Sequence, residues 1–99
     1  MVKITTKSEI PNGKMKEFKV KDKTIVIANL EGKYFAFDGL CTHMHCSLAG
    51  GFLEETKITC YCHGAQFDIK TGKVLAGPAK LPLKTYKVKV AKEDLQIEI

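Results

Sequence analysis

The feature that most restricts the fold is the run TIVIANLEGKYFAFDGL at residues 24–40. Residues 24–30 and 33–40 are dense in β-branched and aromatic side chains, and the pair Glu31-Gly32 between them suits a tight two-residue connection. That is a β-hairpin. Further along, TYKVKV at 85–90 alternates, with Tyr86, Val88 and Val90 on one face and Thr85, Lys87 and Lys89 on the other. DLQIEI at 94–99 repeats the period through Leu95, Ile97 and Ile99, so the two segments pair across a turn at 91–93. QFDIKTGKVL reads as another hairpin: strand 66–69, a turn at Lys70-Thr71-Gly72, strand 73–75. No window keeps a helical apolar period and no internal repeat is present, so the expected class is all-β, a small antiparallel sandwich or barrel. Ninety-nine residues suggest one domain, 1–99.

A hydrophobic fraction of 44% and a charged fraction of 27% belong to an ordinary globular protein. The N-terminal MVKITTKSEI has no signal-peptide core and no stretch approaches bilayer-spanning length, which predicts a soluble, cytoplasmic protein with no membrane partner. The net charge is +5, yet all 16 basic residues are lysine and they are scattered. Without arginine, whose planar fork matches phosphates and guanine edges, a nucleic-acid partner is not expected.

All four cysteines and all three histidines fall in CTHMHC (41–46) and CYCH (60–63). Both stretches lie in loops that follow predicted strands, a common place for metal chemistry. Cys41-x-His43 and Cys60-x-x-His63 each supply one sulfur and one nitrogen, with Cys46 and Cys62 interleaved. Two thiolates and two imidazoles could build a tetrahedral zinc site, which would make the chain a zinc-stabilised interaction module. Zinc fingers, however, draw a Cys pair from one segment and a His pair from another. A mixed-ligand diiron cluster, with both cysteines on one iron and both histidines on the other, suits this spacing better.

These residues resemble the signature of the Rieske family, C-T-H-x-x-C with C-x-C-H-G, present as Cys41, Thr42, His43, Cys46 and as Cys60, Cys62, His63, Gly64. The resemblance extends through CHGAQFDIKTGKVLAGPAKLPLKTY, including the loop at Gly77-Pro78 that covers the cluster in that family. It implies a Rieske-like antiparallel sandwich or barrel with a cluster-binding subdomain of two loops. It also implies one [2Fe-2S] cluster held by Cys41 and Cys60 on one iron and His43 and His63 on the other. By the same resemblance Cys46 and Cys62 form the disulfide that ties the two cluster loops in Rieske domains of respiratory and photosynthetic complexes. His45 and Met44 are no part of the ligand pattern.

Two positions depart from the high-potential members, which carry Ser and Tyr where this chain has Ala65 and Phe67. Neither side chain can donate a hydrogen bond to the cluster or its sulfurs, so the reduced form loses stabilisation and the potential should be low within the range of such centres. Gly64, Ala65, Phe67 and Pro78 are thus the candidate residues around the ligands. The resemblance implies a one-electron carrier, expected to be a monomer, between a reductase and an oxygenase or other acceptor, with no catalysis of its own. A small Rieske subunit bound permanently in a larger oxidoreductase is the alternative.

Overall fold

The computed structural model describes residues 2–42, 46–62, 64–77 and 80–98. Among the described residues, eleven strands form three antiparallel sheets. The first sheet joins β1 (Val2–Thr6), β11 (Asp94–Ile97) and β10 (Val88–Ala91), in that order. The second runs β2 (Met15–Val20), β3 (Lys23–Leu30), β4 (Lys33–Asp38) and β9 (Thr85–Tyr86). The third is inserted between β4 and β9: β5 (Phe52–Glu54), β6 (Lys57–Thr59), β7 (Gln66–Asp68) and β8 (Val74–Ala76). The insertion carries both Cys/His loops, as a two-loop subdomain requires.

Strand β3 explains how the parts fit. Ile25 and Ile27 face one core with Ile10, Ala36, Tyr86, Leu95 and Ile97, while Val26 and Ala28 face a second with Phe37, Leu48, Ile58, Phe67 and Leu83. A strand covered on both faces must be apolar at successive positions, which is why TIVIA does not alternate. The second sheet therefore sits between the first sheet and the inserted subdomain. The β3–β4 hairpin closes through Glu31 (φ 53°) and Gly32 (φ 85°), both left-handed as a type I′ turn demands.

The expected hairpins of 24–40 and 66–75 form, the second with strands Gln66–Asp68 and Val74–Ala76, and β10 pairs with β11 as expected, though Ala91 opposite Asp94 shortens the turn to Lys92-Glu93. One reading is corrected. Residues 85–90 are two strands: Thr85–Tyr86 pairs with β4, and the chain then passes at Lys87 to the other sheet. As a result Tyr86 is buried, whereas Val90, on an edge strand, is 43% exposed. Strands β1, β2, β5 and β6 were not anticipated, and neither were the short 3-10 turns Lys7–Glu9 and Leu48–Gly50.

Candidate metal centre

The first loop leaves β4 at Asp38 and is closed by its own backbone. Gly39 N–H donates to the Thr24 carbonyl (2.8 Å), Leu48 N–H to the Gly39 carbonyl (2.7 Å) and Cys41 N–H to the Cys46 carbonyl (2.8 Å). The second loop, between β6 and β7, is closed the same way: Cys60 N–H donates to the Ala65 carbonyl (2.8 Å) and Gly64 N–H to the Cys60 carbonyl (3.1 Å). Gly64 sits at φ 77°, which a side chain would strain. A Cβ on Gly51 would overlap the Thr59 carbonyl oxygen, so glycine permits the tail of the first loop to lie against β6 beside the second loop.

The two loops are joined by a Cys46–Cys62 disulfide, the pairing expected from the family resemblance. Cys41 and Cys60 lie outside it, 1% and 2% exposed, in the same apolar cluster as Leu48, Ile58, Phe67 and Leu83. The sulfurs of Cys46, Cys60 and Cys62 all lie within 4.8 Å of one another. His43, Met44, His45, His63 and Pro78 lie outside the described residues. Among the remaining expected positions, Ala65 and Phe67 are fully buried and join the cluster that contains Cys41 and Cys60. No hydroxyl or amide from these two side chains enters that environment.

Sequence reasoning gave Thr42 no role, although it stands inside the motif. Its hydroxyl donates to the Leu81 carbonyl (2.8 Å), bracing the first loop against the segment that returns to β9. The apolar surface was also missed: Leu40 (37%), Tyr61 (55%) and Leu81 (65%) are exposed beside the cysteine loops. Its signal was in the charge pattern. No Asp, Glu or Lys occurs between Asp38 and Glu54, between Lys57 and Asp68, or between Lys73 and Lys80. The stretches that carry the cysteines are thus uncharged on a chain of net charge +5, while charged side chains from other segments reach the first loop: Glu17 accepts from Ser47, and Asp22, Lys23 and Asp38 share a depression with Leu40 and Thr42.

Asp68 is half-buried and shapes its turn by accepting from Lys70 N–H (2.8 Å). Nearer the base of the first loop, Tyr86 donates to Asp38 Oδ1 at 2.6 Å. Burial raises the Tyr86 hydroxyl pKa above its ordinary value, and the hydrogen bond and negative charge of Asp38 raise it further. Lys23 and Lys84 stand over its ring, 5.6 and 5.4 Å from the centroid.

The donor chemistry suits a [2Fe-2S] group of the two-thiolate, two-imidazole type. Two thiols come from two separate loops, are buried and excluded from the disulfide, and are held by backbone bonds that do not depend on a metal. A biphenyl 2,3-dioxygenase ferredoxin component from Rhodococcus jostii is 32% identical over all of this chain and 92% of its own length. Among solved structures, a Sphingomonas yanoikuyae B1 ferredoxin superposes with TM-score 0.92 at 30% identity, covering 99% of this chain and 97% of that one. A ferredoxin in a complex of reduced oxygenase and oxidised ferredoxin, from carbazole 1,9a-dioxygenase, superposes at 0.90 with 25% identity, covering 97% and 90%. The model of the Rieske [2Fe-2S] domain matches residues 1–87. The chain therefore belongs to the Rieske [2Fe-2S] domain family, and its cofactor is a [2Fe-2S] cluster.

Proposed function

We propose that this protein carries single electrons from a reductase to an oxygenase or a similar redox enzyme, without catalysing a reaction of its own. The observation that carries the reading is the placement of two buried cysteine thiols beside exposed apolar side chains on a small β-framework. In the assignment proposed, Cys41 and Cys60 hold one iron and His43 and His63 the other, and the two imidazoles are the port to the partner. When bound, the group accepts and returns one electron in a range that imidazole ligation raises. Two ferric ions, two sulfides and two thiolates sum to zero charge, so an added electron is less opposed than in an all-cysteine centre.

The chain's own residues supply the rest. The closed backbone of both loops and the Cys46–Cys62 bridge hold the donors in place, which limits reorganisation on electron transfer. Ala65 and Phe67 exclude water and offer no side-chain donor, which keeps the potential low. Gly64 makes the second loop's turn, and Pro78 is assigned to the covering loop. Leu40, Tyr61 and Leu81 provide apolar surface that a partner can cover. The whole chain, 1–99, is proposed to act as one domain, because β1 and β11 from its two ends share a sheet. Among the described residues no helix is long and apolar enough to cross a membrane; the cytoplasm is the compartment proposed.

Low-temperature electron paramagnetic resonance of the dithionite-reduced protein tests the ligand set. A Rieske signal is expected; an all-cysteine signal, or a colourless protein with one zinc, would overturn it. Transfer from a flavoprotein reductase to an oxygenase tests the role. The exposed apolar tip also suits a permanently bound subunit of a larger oxidoreductase, and size-exclusion of a native extract separates the two: the carrier elutes alone.

A further inference from the structure

The three sulfurs of Cys46, Cys60 and Cys62 are grouped more closely than a loop clamp needs. They lie within 4.8 Å of one another, although Cys46 comes from the first loop and the other two from the second. A thiolate–metal bond of about 2.3 Å places sulfurs of a tetrahedral site ~3.8 Å apart. Opening the disulfide and drawing Cys60 in by an ångström or less would meet that spacing.

From this juxtaposition we infer that the disulfide-open protein holds a second metal site, in which Cys46, Cys60 and Cys62 bind a soft cation of the zinc or copper(I) class. Thiolates select such metals over magnesium or calcium. The Cys46–Cys62 bridge then has a selective role besides a mechanical one: it withdraws two of the three thiolates from competing metals.

The backbone supports this. The bond from Cys41 N–H to the Cys46 carbonyl and that from Cys60 N–H to the Ala65 carbonyl close each loop on itself, with no contribution from the bridge. Leu40 and Ser47 add a ladder contact across the first loop, and Ser47 Oγ donates to Glu17 Oε1 at 2.7 Å. Reduction therefore leaves both loops anchored and the sulfurs near one another. A fourth position is left for water or another donor. Because Cys60 also belongs to the proposed cluster set, occupancy by the soft metal and by the cluster exclude one another.

The opening step balances with a phosphine reductant. The phosphine and one water give the phosphine oxide, its two electrons break the S–S bond, and both sulfurs leave as thiols. Each thiol that then binds metal releases its proton to solvent.

The test uses the cluster-free full chain carrying Cys41→Ser, which removes a thiolate from the proposed cluster set and none from the new site. Zinc affinity is measured by chelator competition before and after phosphine reduction. Cobalt(II) charge-transfer intensity counts the thiolates, and far-ultraviolet circular dichroism verifies the fold. Reduction is expected to tighten zinc binding at least 100-fold and to raise the cobalt band from one thiolate to three. Adding Cys60→Ser, which leaves the bridge free to form before reduction, should cap the cobalt band of the reduced protein at two thiolates and remove most of the gain. An affinity that does not change on reduction, or a full gain that survives Cys60→Ser, overturns the site. If Cys41→Ser does not fold, the wild-type chain decides by its cobalt band: two thiolates closed and at least three open supports the site, and two in both overturns it. The paramagnetic signal of the loaded wild-type protein is independent of these outcomes, so failure of the site and failure of the electron-carrier reading are separable.

Discussion

Replacing Gly72 with alanine should loosen the closure behind the cysteine loops. Gly72 follows the β7 turn at φ 81°, donates to the Asp68 carbonyl at 2.7 Å and accepts from Leu83 N–H at 2.7 Å. A Cβ there would overlap the Leu83 carbonyl oxygen and lie 2.9 Å from its carbon, both backbone atoms. Left-handed backbone costs an L-residue about 1–2 kcal/mol. Loss of the Leu83 hydrogen bond adds roughly 0.5–1.5 kcal/mol. Leu83 is 3% exposed in the core that includes Cys41 and Cys60, and partial release of a side chain whose full burial stabilises by about 1.5–3 kcal/mol supplies the rest. The sum is about 4 kcal/mol, or on the order of 20 °C in Tm for a domain of this size. Gly32→Ala is the control, because Gly32 has nearly the same φ, 85°, and nothing within 4 Å of a new Cβ. It should lose only the backbone part, about 1–2 kcal/mol. Urea unfolding of both cluster-free variants, followed by far-ultraviolet circular dichroism, compares them directly. Equal losses, within about 0.5 kcal/mol, would refute the steric argument. Since Thr42 is braced on Leu81 two residues before Leu83, Gly72→Ala should also bleach faster when loaded.

Further outcomes concern the donors, the tyrosine and the bridge. Ala65→Ser with Phe67→Tyr should raise the midpoint potential by about a hundred millivolts, at ~59 mV per 1.4 kcal/mol for one electron; protein-film voltammetry showing no change would sink the low-potential account. Tyr86→Phe should cost about 1–2 kcal/mol in urea unfolding, since Asp38 loses a buried partner. The Tyr86 pKa is raised in the fold, so its contribution is complete below the unfolded pKa near 10 and is lost as pH rises above it. Wild type should therefore lose stability more steeply than Tyr86→Phe above pH ~10, and parallel curves in that window would contradict the shift. Opening the Cys46–Cys62 loop, with a separation of 16 residues, should lower the stability of the cluster-free chain by roughly 3 kcal/mol in the same denaturant assay.

Much of this molecule was legible along the chain. Period-two alternation and the Glu31-Gly32 turn depend on a few neighbouring residues, and so identified the central hairpin and the β10–β11 pairing. The unanticipated strands are those whose pattern is set by distant cover. β5 and β6 are three residues each, too short to show a period, and β2 shows no clean alternation because its exposed lysines, Lys16 and Lys19, fall on opposite faces while Met15 packs on one core and Phe18 and Val20 on the other. The break at Lys87 was likewise hidden: TYKVKV alternates without a flaw, and only the competition between β4 and β11 for its backbone divides it.

The same division holds for the site. Composition and spacing alone determined the all-β class, the two cysteine loops and their family resemblance, because ligand type and interval are written in consecutive residues. Tertiary structure decided what those residues meet. It brought Cys46 and Cys62 together across 16 positions, buried Cys41 and Cys60 with Phe67 and Leu83, and braced Thr42 on Leu81. Contacts of that kind depend on which segments the sheets bring side by side, and no local pattern of residues records them.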